Sequence, residues 1–128
     1  MRLLLDTCTF LWIASDSPKV SKKAVAAFLD RGNERYLSTA SIWEIAIKYS
    51  TGKLSLPTKP DLLIPEVREA SGIDLLDLNE DSALAVGRLP WIHRDPFDRV
   101  LVAQALVHGM TILTSDDEIE KYAVRTLW

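Results

Sequence analysis

Arg2-Leu3-Leu4-Leu5-Asp6, early in the chain, and Thr111-Ile112-Leu113-Thr114-Ser115-Asp116, late in it, are short apolar runs that close on an acid. Unbroken apolar runs of this length suit strands buried on both faces, as in a parallel sheet covered by helices above and below. In such a sheet, residues just past the strand ends and at the starts of the following helices converge on one side. Two further acids occupy helix starts: Glu44 in Ser41-Ile42-Trp43-Glu44 and Asp98 in Asp95-Pro96-Phe97-Asp98. A parallel α/β chain therefore carries Asp6, Glu44, Asp98 and Asp116 where such folds place their chemistry.

Working outward, strands are expected near Arg2 to Leu5, Tyr36 to Ser38, Asp74 to Leu78, Thr111 to Leu113 and Val124 to Leu127. Between them, Ser21 caps a helix with Ala24, Val25, Phe28 and Leu29 on one face, and Gly32 is placed to end it. A second helix is expected from about Ile42 to Ser50. A loop marked by Gly52 and Pro57 follows, then a short helix with Pro65 in its first turn that stops near Gly72. Glu80 to Arg88 predicts another helix. Pro96 opens one that runs through Val107 to His108-Gly109, and the last spans Asp117 to Tyr122. There is no internal repeat or low-complexity tract, and a chain of 128 residues with 48% hydrophobic content reads as one domain over 1–128.

Cys8 is the single cysteine, so no intramolecular disulfide forms, in keeping with a reducing cytoplasm. No apolar run approaches the ~18 residues of a membrane span, and the chain reads as soluble, unprocessed and without a membrane partner. A net charge of −3 argues against holding nucleic acid by bulk electrostatics. Divalent cations held by clustered acids would invert the local field and attract phosphate.

Each acid also has a plain structural reading. Ser41-x-x-Glu44 and Ser115-x-x-Glu118 have capping-box spacing. Asp95-Pro96 reads as an N-cap before a first-turn proline, with Asp98 favoured by the helix dipole. Asp6 can cap the helix after its strand. Joint placement separates the readings, because four independent caps need not share one side of a sheet. Hard oxygen ligands select Mg²⁺ or Mn²⁺ over zinc. The chemistry implied is phosphoester hydrolysis by metal-activated water; without metal, the carboxylates would repel one another and some would take up protons.

Leu4-Leu5-Asp6-Thr7, the Ser41-to-Lys48 helix start, His93-Arg94-Asp95-Pro96-Phe97-Asp98-Arg99 leading into Leu101-Val102-Ala103-Gln104-Ala105, and Leu113-Thr114-Ser115-Asp116 together resemble PIN domains. Within them the likeness is to the VapC-type toxins of bacterial toxin–antitoxin pairs, and it covers essentially the whole chain to Thr126-Leu127-Trp128. The resemblance implies a three-layer α/β/α fold with a mainly parallel sheet of about five strands. It implies a Mg²⁺- or Mn²⁺-dependent endoribonuclease whose pocket uses Asp6, Glu44, Asp98 and Asp116, with Asp6 and Asp98 the foremost metal ligands. It further implies an RNA substrate, a cognate antitoxin that occupies the pocket, and a homodimer. Asp95 and Asp117 stay outside the ligand set as cap and helix start.

Other polar residues have competing readings. Lys48, four residues after Glu44, is either a surface ion-pair partner or a phosphate contact. Arg94 and Arg99 could touch RNA phosphate or pair with the acids. Thr7, Ser38 and Ser115 could orient acids or water, or cap backbone groups. His93 and His108 suggest metal-free acid–base cleavage, but His108 suits a helix C-terminus and His93 a loop. Trp12, Trp43 and Trp91 suit core or interface packing ahead of base stacking, and Trp128 a partner surface. A haloacid-dehalogenase phosphatase needs Asp where Cys8 stands, and no receiver-type acidic pair or phosphoacceptor Asp is present. The rival from another class is a non-catalytic PIN-like module that binds RNA or protein and uses its acids as caps.

Overall fold

Leu3, Leu4 and Leu5 are fully buried because their strand lies in the middle of a five-stranded sheet. A computed structural model describes residues Met1–Trp128. Strands β1 (Arg2–Leu5), β2 (Glu34–Ser38), β3 (Ile73–Leu76), β4 (Thr111–Leu113) and β5 (Thr126–Leu127) stand in the order β3-β2-β1-β4-β5. Every neighbouring pair is parallel, with Leu5 opposite both Leu37 and Leu113. The chain winds outward from β1 to β3 and then returns to place β4 on the other side. The crevice between β1 and β4 is thus the switch point at which open α/β sheets bind ligands, beyond the carboxyl ends of the strands.

Seven helices cover the sheet: α1 (Thr7–Ala14), α2 (Lys22–Leu29), α3 (Thr39–Ser50), α4 (Pro60–Ser71), α5 (Glu80–Ala85), α6 (Pro96–His108) and α7 (Asp117–Glu120). Alternation along the strands sends Leu5, Leu37, Ile73 and Leu113 into one core with Phe10, Ala24, Phe28, Ile45 and Ile64 from α1–α4. Leu4 and Ile112 face the other way, into a core with Leu101, Val102 and Ala105 of α6 and Ile119 of α7. The result is the three-layer α/β/α arrangement.

Several boundaries differ from the sequence reading for identifiable reasons. Helix α3 starts at Thr39, three residues before Ile42, because Ser38 at the end of β2 caps it by accepting from Ala40 N at 3.0 Å. Pro60, not Pro65, lies in the first turn of α4, and Pro65 sits inside that helix. Pro65 and Asp61 are both exposed, so the Asp61 carbonyl freed by the missing N–H can meet water. Helix α2 ends at Leu29 with Asp30 as its C-cap; the Asp30 carboxylate accepts from Gly32 N at 2.8 Å, so Gly32 lies in the following turn. Strand β3 runs Ile73–Leu76, not 74 to 78; β5 keeps only Thr126–Leu127, and α7 stops at Glu120. At Gly72 and Gly109 the expected stops hold, with φ of 62° and 66° in the left-handed region that favours glycine. No helix is long and apolar enough to cross a membrane.

Candidate functional site

Strand β1 delivers Asp6 to the switch-point crevice, and burial of that carboxylate, 6% exposed, is relieved by two donors. Oδ1 accepts from Thr9 N at 2.7 Å, so Asp6 caps α1 as well as facing the crevice. Oδ2 accepts from the Thr114 hydroxyl beyond β4. That same hydroxyl oxygen accepts from Asp116 N at 3.0 Å, and Asp116 Oδ1 caps α7 through Glu118 N at 2.9 Å. One buried threonine therefore spans the crevice and links two acids that lie 110 positions apart.

Glu44 enters from α3, also 6% exposed. Oε1 accepts from Thr7 Oγ1 at 2.6 Å, next to Asp6, and Oε2 accepts from Lys48 Nζ at 2.5 Å one turn along. Glu44 caps nothing: Ser38 holds the helix start, so the Ser41-x-x-Glu44 spacing falls inside α3 and Ser41 Oγ is left without a partner. Lys48 is half-exposed and forms the ion pair of the plain reading. Replacing Lys48 by Met should lower stability by about 1–3 kcal/mol, because it leaves the buried Glu44 carboxylate with the Thr7 donor alone. Thermal denaturation checks this.

Asp98 sits in the first turn of α6, whose cap is Asp95, accepting from Phe97 N and Asp98 N at 2.9 and 3.2 Å. Asp98 is thus free of cap duty, and its Oδ2 faces His93 Nε2 at 3.1 Å. Burial pushes the Asp98 carboxyl up to about 6; the His93 hydrogen bond opposes the rise, and the charges of Asp95 and Asp116 add to it. Burial also raises Asp6, against the Thr114 and Thr9 hydrogen bonds and with the Asp116 charge. The Cys8 thiol, at the start of α1, is raised by burial and by the Asp6, Glu44 and Asp98 charges, so it sits among the same acids. All four sequence-predicted acids therefore gather on one side of the sheet, and each of them perturbs another of the set or their common neighbour Cys8.

No three of these side chains close into a ready-made metal cage. Nor do five grooves on the surface include any of the four acids in their walls; one, beside α1 and α2, is lined mainly by apolar side chains, Trp12, Val20, Phe28 and Leu29 among them. Asp6 and Glu44 are buried, while Asp98 and Asp116 are partly exposed at the surface. Open carboxylate sets suit Mg²⁺, which keeps several waters and is held by one or two carboxylates plus phosphate oxygens. Asp98 Oδ1 and Asp116 Oδ2 accept no protein hydrogen bond and are the oxygens most available to a cation. The donor set, all hard oxygen and electrostatically strained as it stands, fits such an ion.

The structure also redistributes the supporting roles. Thr114, not Ser115, holds the acids; its signal was the hydroxyl-to-backbone spacing two residues before Asp116. Thr7 orients Glu44, Ser38 caps α3 and donates to Gln104 Oε1 at 2.6 Å, and Ser115 is exposed. Arg99 is buried and cannot reach a phosphate on the surface, whereas Arg94 is exposed. Trp43 and Trp91 are exposed rather than core, against Phe97 and Arg99 respectively, and Trp12 packs on Trp128.

The amino-acid sequence matches the PIN domain family over residues 3–125. The chain belongs to the PIN domain family. No curated protein is a significant sequence match to this PIN domain. Among solved structures it is similar to a chain of VapBC2 from Rickettsia felis bound to a DNA fragment from the promoter, at TM-score 0.75 and 13% identity over 99% of this chain and 98% of that one. It is also similar to VapBC-1 from nontypeable Haemophilus influenzae, at TM-score 0.66 and 18% identity over 99% and 97%. A third likeness is to FitAcB from Neisseria gonorrhoeae, at TM-score 0.61 and 22% identity over 98% and 96%. At these identities the likenesses establish a shared fold.

Proposed function

We propose that this PIN domain is a Mg²⁺- or Mn²⁺-dependent endoribonuclease, the VapC-type toxin of a toxin–antitoxin pair, acting through Asp6, Glu44, Asp98 and Asp116. The observation that carries the reading is the gathering of four acids from β1, α3, α6 and the β4–α7 turn at the sheet's switch point, two of them with carboxyls raised by burial. We take residues 1–128 as one such domain acting in the cytoplasm, and RNA, a cognate antitoxin and a second copy of the chain as its partners. The fold shared with chains of VapBC and FitAB assemblies supports the antitoxin.

When bound, the ion supplies Lewis acidity toward the phosphodiester and lowers the pKa of a water. The chain's own residues do the positioning. Thr114 and Thr9 hold Asp6 rigidly at the crevice, so its carboxylate needs no reordering on binding. Thr7 fixes Glu44 beside it, and Lys48 keeps that buried charge compensated. Asp98 and Asp116 offer unoccupied oxygens from the two helix starts.

The test is RNA cleavage by the purified chain with Mn²⁺ and with excess chelator. Cleavage that disappears in chelator and in an Asp6→Asn variant supports the reading; full cleavage in chelator sinks it. The non-catalytic alternative draws on Asp6 and Asp116 as helix caps and on Lys48 paired to Glu44. It predicts no Mn²⁺ uptake in a calorimetric titration of the chain alone and no cleavage of any RNA.

A further inference from the structure

Behind Asp98 a chain of hydrogen bonds runs through His93 and Tyr122 to the buried Arg99. Arg99 is 2% exposed and has no carboxylate partner. Its guanidinium donates from Nη1 to the Pro90 carbonyl at 2.8 Å and to the Tyr122 hydroxyl at 3.0 Å. A guanidinium only donates, so the tyrosine oxygen is an acceptor toward Arg99 and its hydrogen is free to point elsewhere. It lies 2.8 Å from His93 Nδ1. With Nδ1 accepting, the neutral ring carries its hydrogen on Nε2, which donates to Asp98 Oδ2 at 3.1 Å. The reverse order would require the ionised carboxylate to donate, which it cannot do.

We infer that His93 is a positioning residue of the acidic site, holding Asp98 by Oδ2 so that Oδ1 is presented to a divalent cation, and that Tyr122 and Arg99 set its tautomer. This rests on the metal-dependent reading above. Three features carry it. His93 is itself largely buried, with 14% of its side chain exposed, and its ring meets Tyr122 edge-on at 5.5 Å, so its orientation is set by packing as well as by hydrogen bonds. Both ring nitrogens are used, which leaves His93 no free nitrogen to ligate metal or to shuttle protons at the substrate. Tyr122 follows α7, the helix that Asp116 caps, so the His93–Tyr122 bond ties the start of α6 to the segment carrying the other acid with an unoccupied oxygen. Second partners of this kind behind ligating groups typically matter by about 10–100-fold in metal affinity or activity.

The experiment titrates Mn²⁺ into the full chain above neutral pH, following the free-ion electron paramagnetic resonance signal, for wild type and for His93→Ala, His93→Gln and Tyr122→Phe. Circular dichroism and melting establish that each variant is folded. His93→Ala should weaken Mn²⁺ binding by about 10–100-fold, and His93→Gln, whose Nε2 can still donate to Asp98, should recover part of the loss. Tyr122→Phe keeps the ring packing and removes the hydroxyl, so it should weaken binding by several-fold and shift the His93 tautomer seen in nitrogen-15 spectra of the metal-free chain. A folded His93→Ala with wild-type affinity overturns the inference. If His93→Ala does not fold, a folded Tyr122→Phe with wild-type affinity and unchanged tautomer overturns it. A wild type that takes up no Mn²⁺ overturns the metal-dependent reading and this inference with it, whereas binding by wild type and equal binding by the variants overturns this inference alone.

Discussion

Asp98→Asn should make the metal-free protein more stable while removing its metal affinity. The carboxyl titrates near 6 in the fold against an ordinary value of 3.8, so the fold disfavours the ionised form. The sign follows directly. Asp98 costs nothing below its unfolded value, and stability is lost as pH rises from there through about 6. At pH 7 the burden is on the order of 1–3 kcal/mol. Asparagine carries no charge and its Oδ1 still accepts from His93. Helix α6 is unaffected, because Asp95 caps it. The variant should therefore melt roughly 3–10 °C higher near pH 7, with the gap closing below about pH 4. Mn²⁺ binding should fall by at least about 100-fold and RNA cleavage with it. In the wild type, binding should weaken by about tenfold per pH unit below 6, because the ion must displace the Asp98 proton. Differential scanning calorimetry and Mn²⁺ titration check both halves. A variant less stable than wild type at pH 7 would refute the desolvation account, and one that retains metal affinity would remove Asp98 from the ligand set.

Arg99→Met should be the most damaging single change outside the sheet. The guanidinium organises the segment between α5 and α6: it donates to the carbonyls of Pro90, Val86 and Leu89 and to Tyr122, at 2.8 to 3.5 Å, and stacks 4.0 Å from the exposed Trp91 ring. Methionine fills similar space without any donor. The carbonyls of the Val86–Arg88 turn and its exit then lose their partner, and the turn has few hydrogen bonds of its own to replace it. Leaving buried acceptors unpaired costs about 1–3 kcal/mol each. Partial access of water to this loop lowers the sum, so the expected loss is about 3–5 kcal/mol. Urea unfolding monitored by tryptophan fluorescence measures it, and a loss under about 1 kcal/mol would show that solvent replaces Arg99 without cost.

The sheet and its helices were largely legible because burial on both faces leaves a local signature. Leu3-Leu4-Leu5 and Ile112-Leu113 are uninterrupted because both sides of β1 and β4 face helices. Ser21, Asp95-Pro96, Gly72 and Gly109 mark helix ends through bonds and dihedrals confined to a few neighbouring residues. Local signals misled at element boundaries: β3, β5 and α7 came out displaced or shorter than expected, and two helix starts moved. Ser38 took the α3 start from Ser41, and Pro60 took the α4 start from Pro65, because the chain leaving β2 and the preceding loop reached helical geometry earlier.

The amino-acid sequence by itself determined the fold class, the positions of the strands and the set of four acids, since each depends on residue type and short-range spacing. Tertiary structure alone decided what each acid does. Asp6 and Asp116 cap helices and share Thr114, Glu44 leans on Thr7 and Lys48, and Asp98 is held from behind by His93. The caps, the Glu44–Lys48 pair and the His93–Asp98 contact are short-range, but the contacts that bring the acids together join residues far apart in the chain: 6 with 114, 7 with 44, 93 with 122. Their meeting is a consequence of the strand order β3-β2-β1-β4-β5, which brings β4 against β1. No periodicity within a window of residues encodes that order; it follows from packing both apolar faces of the sheet at once.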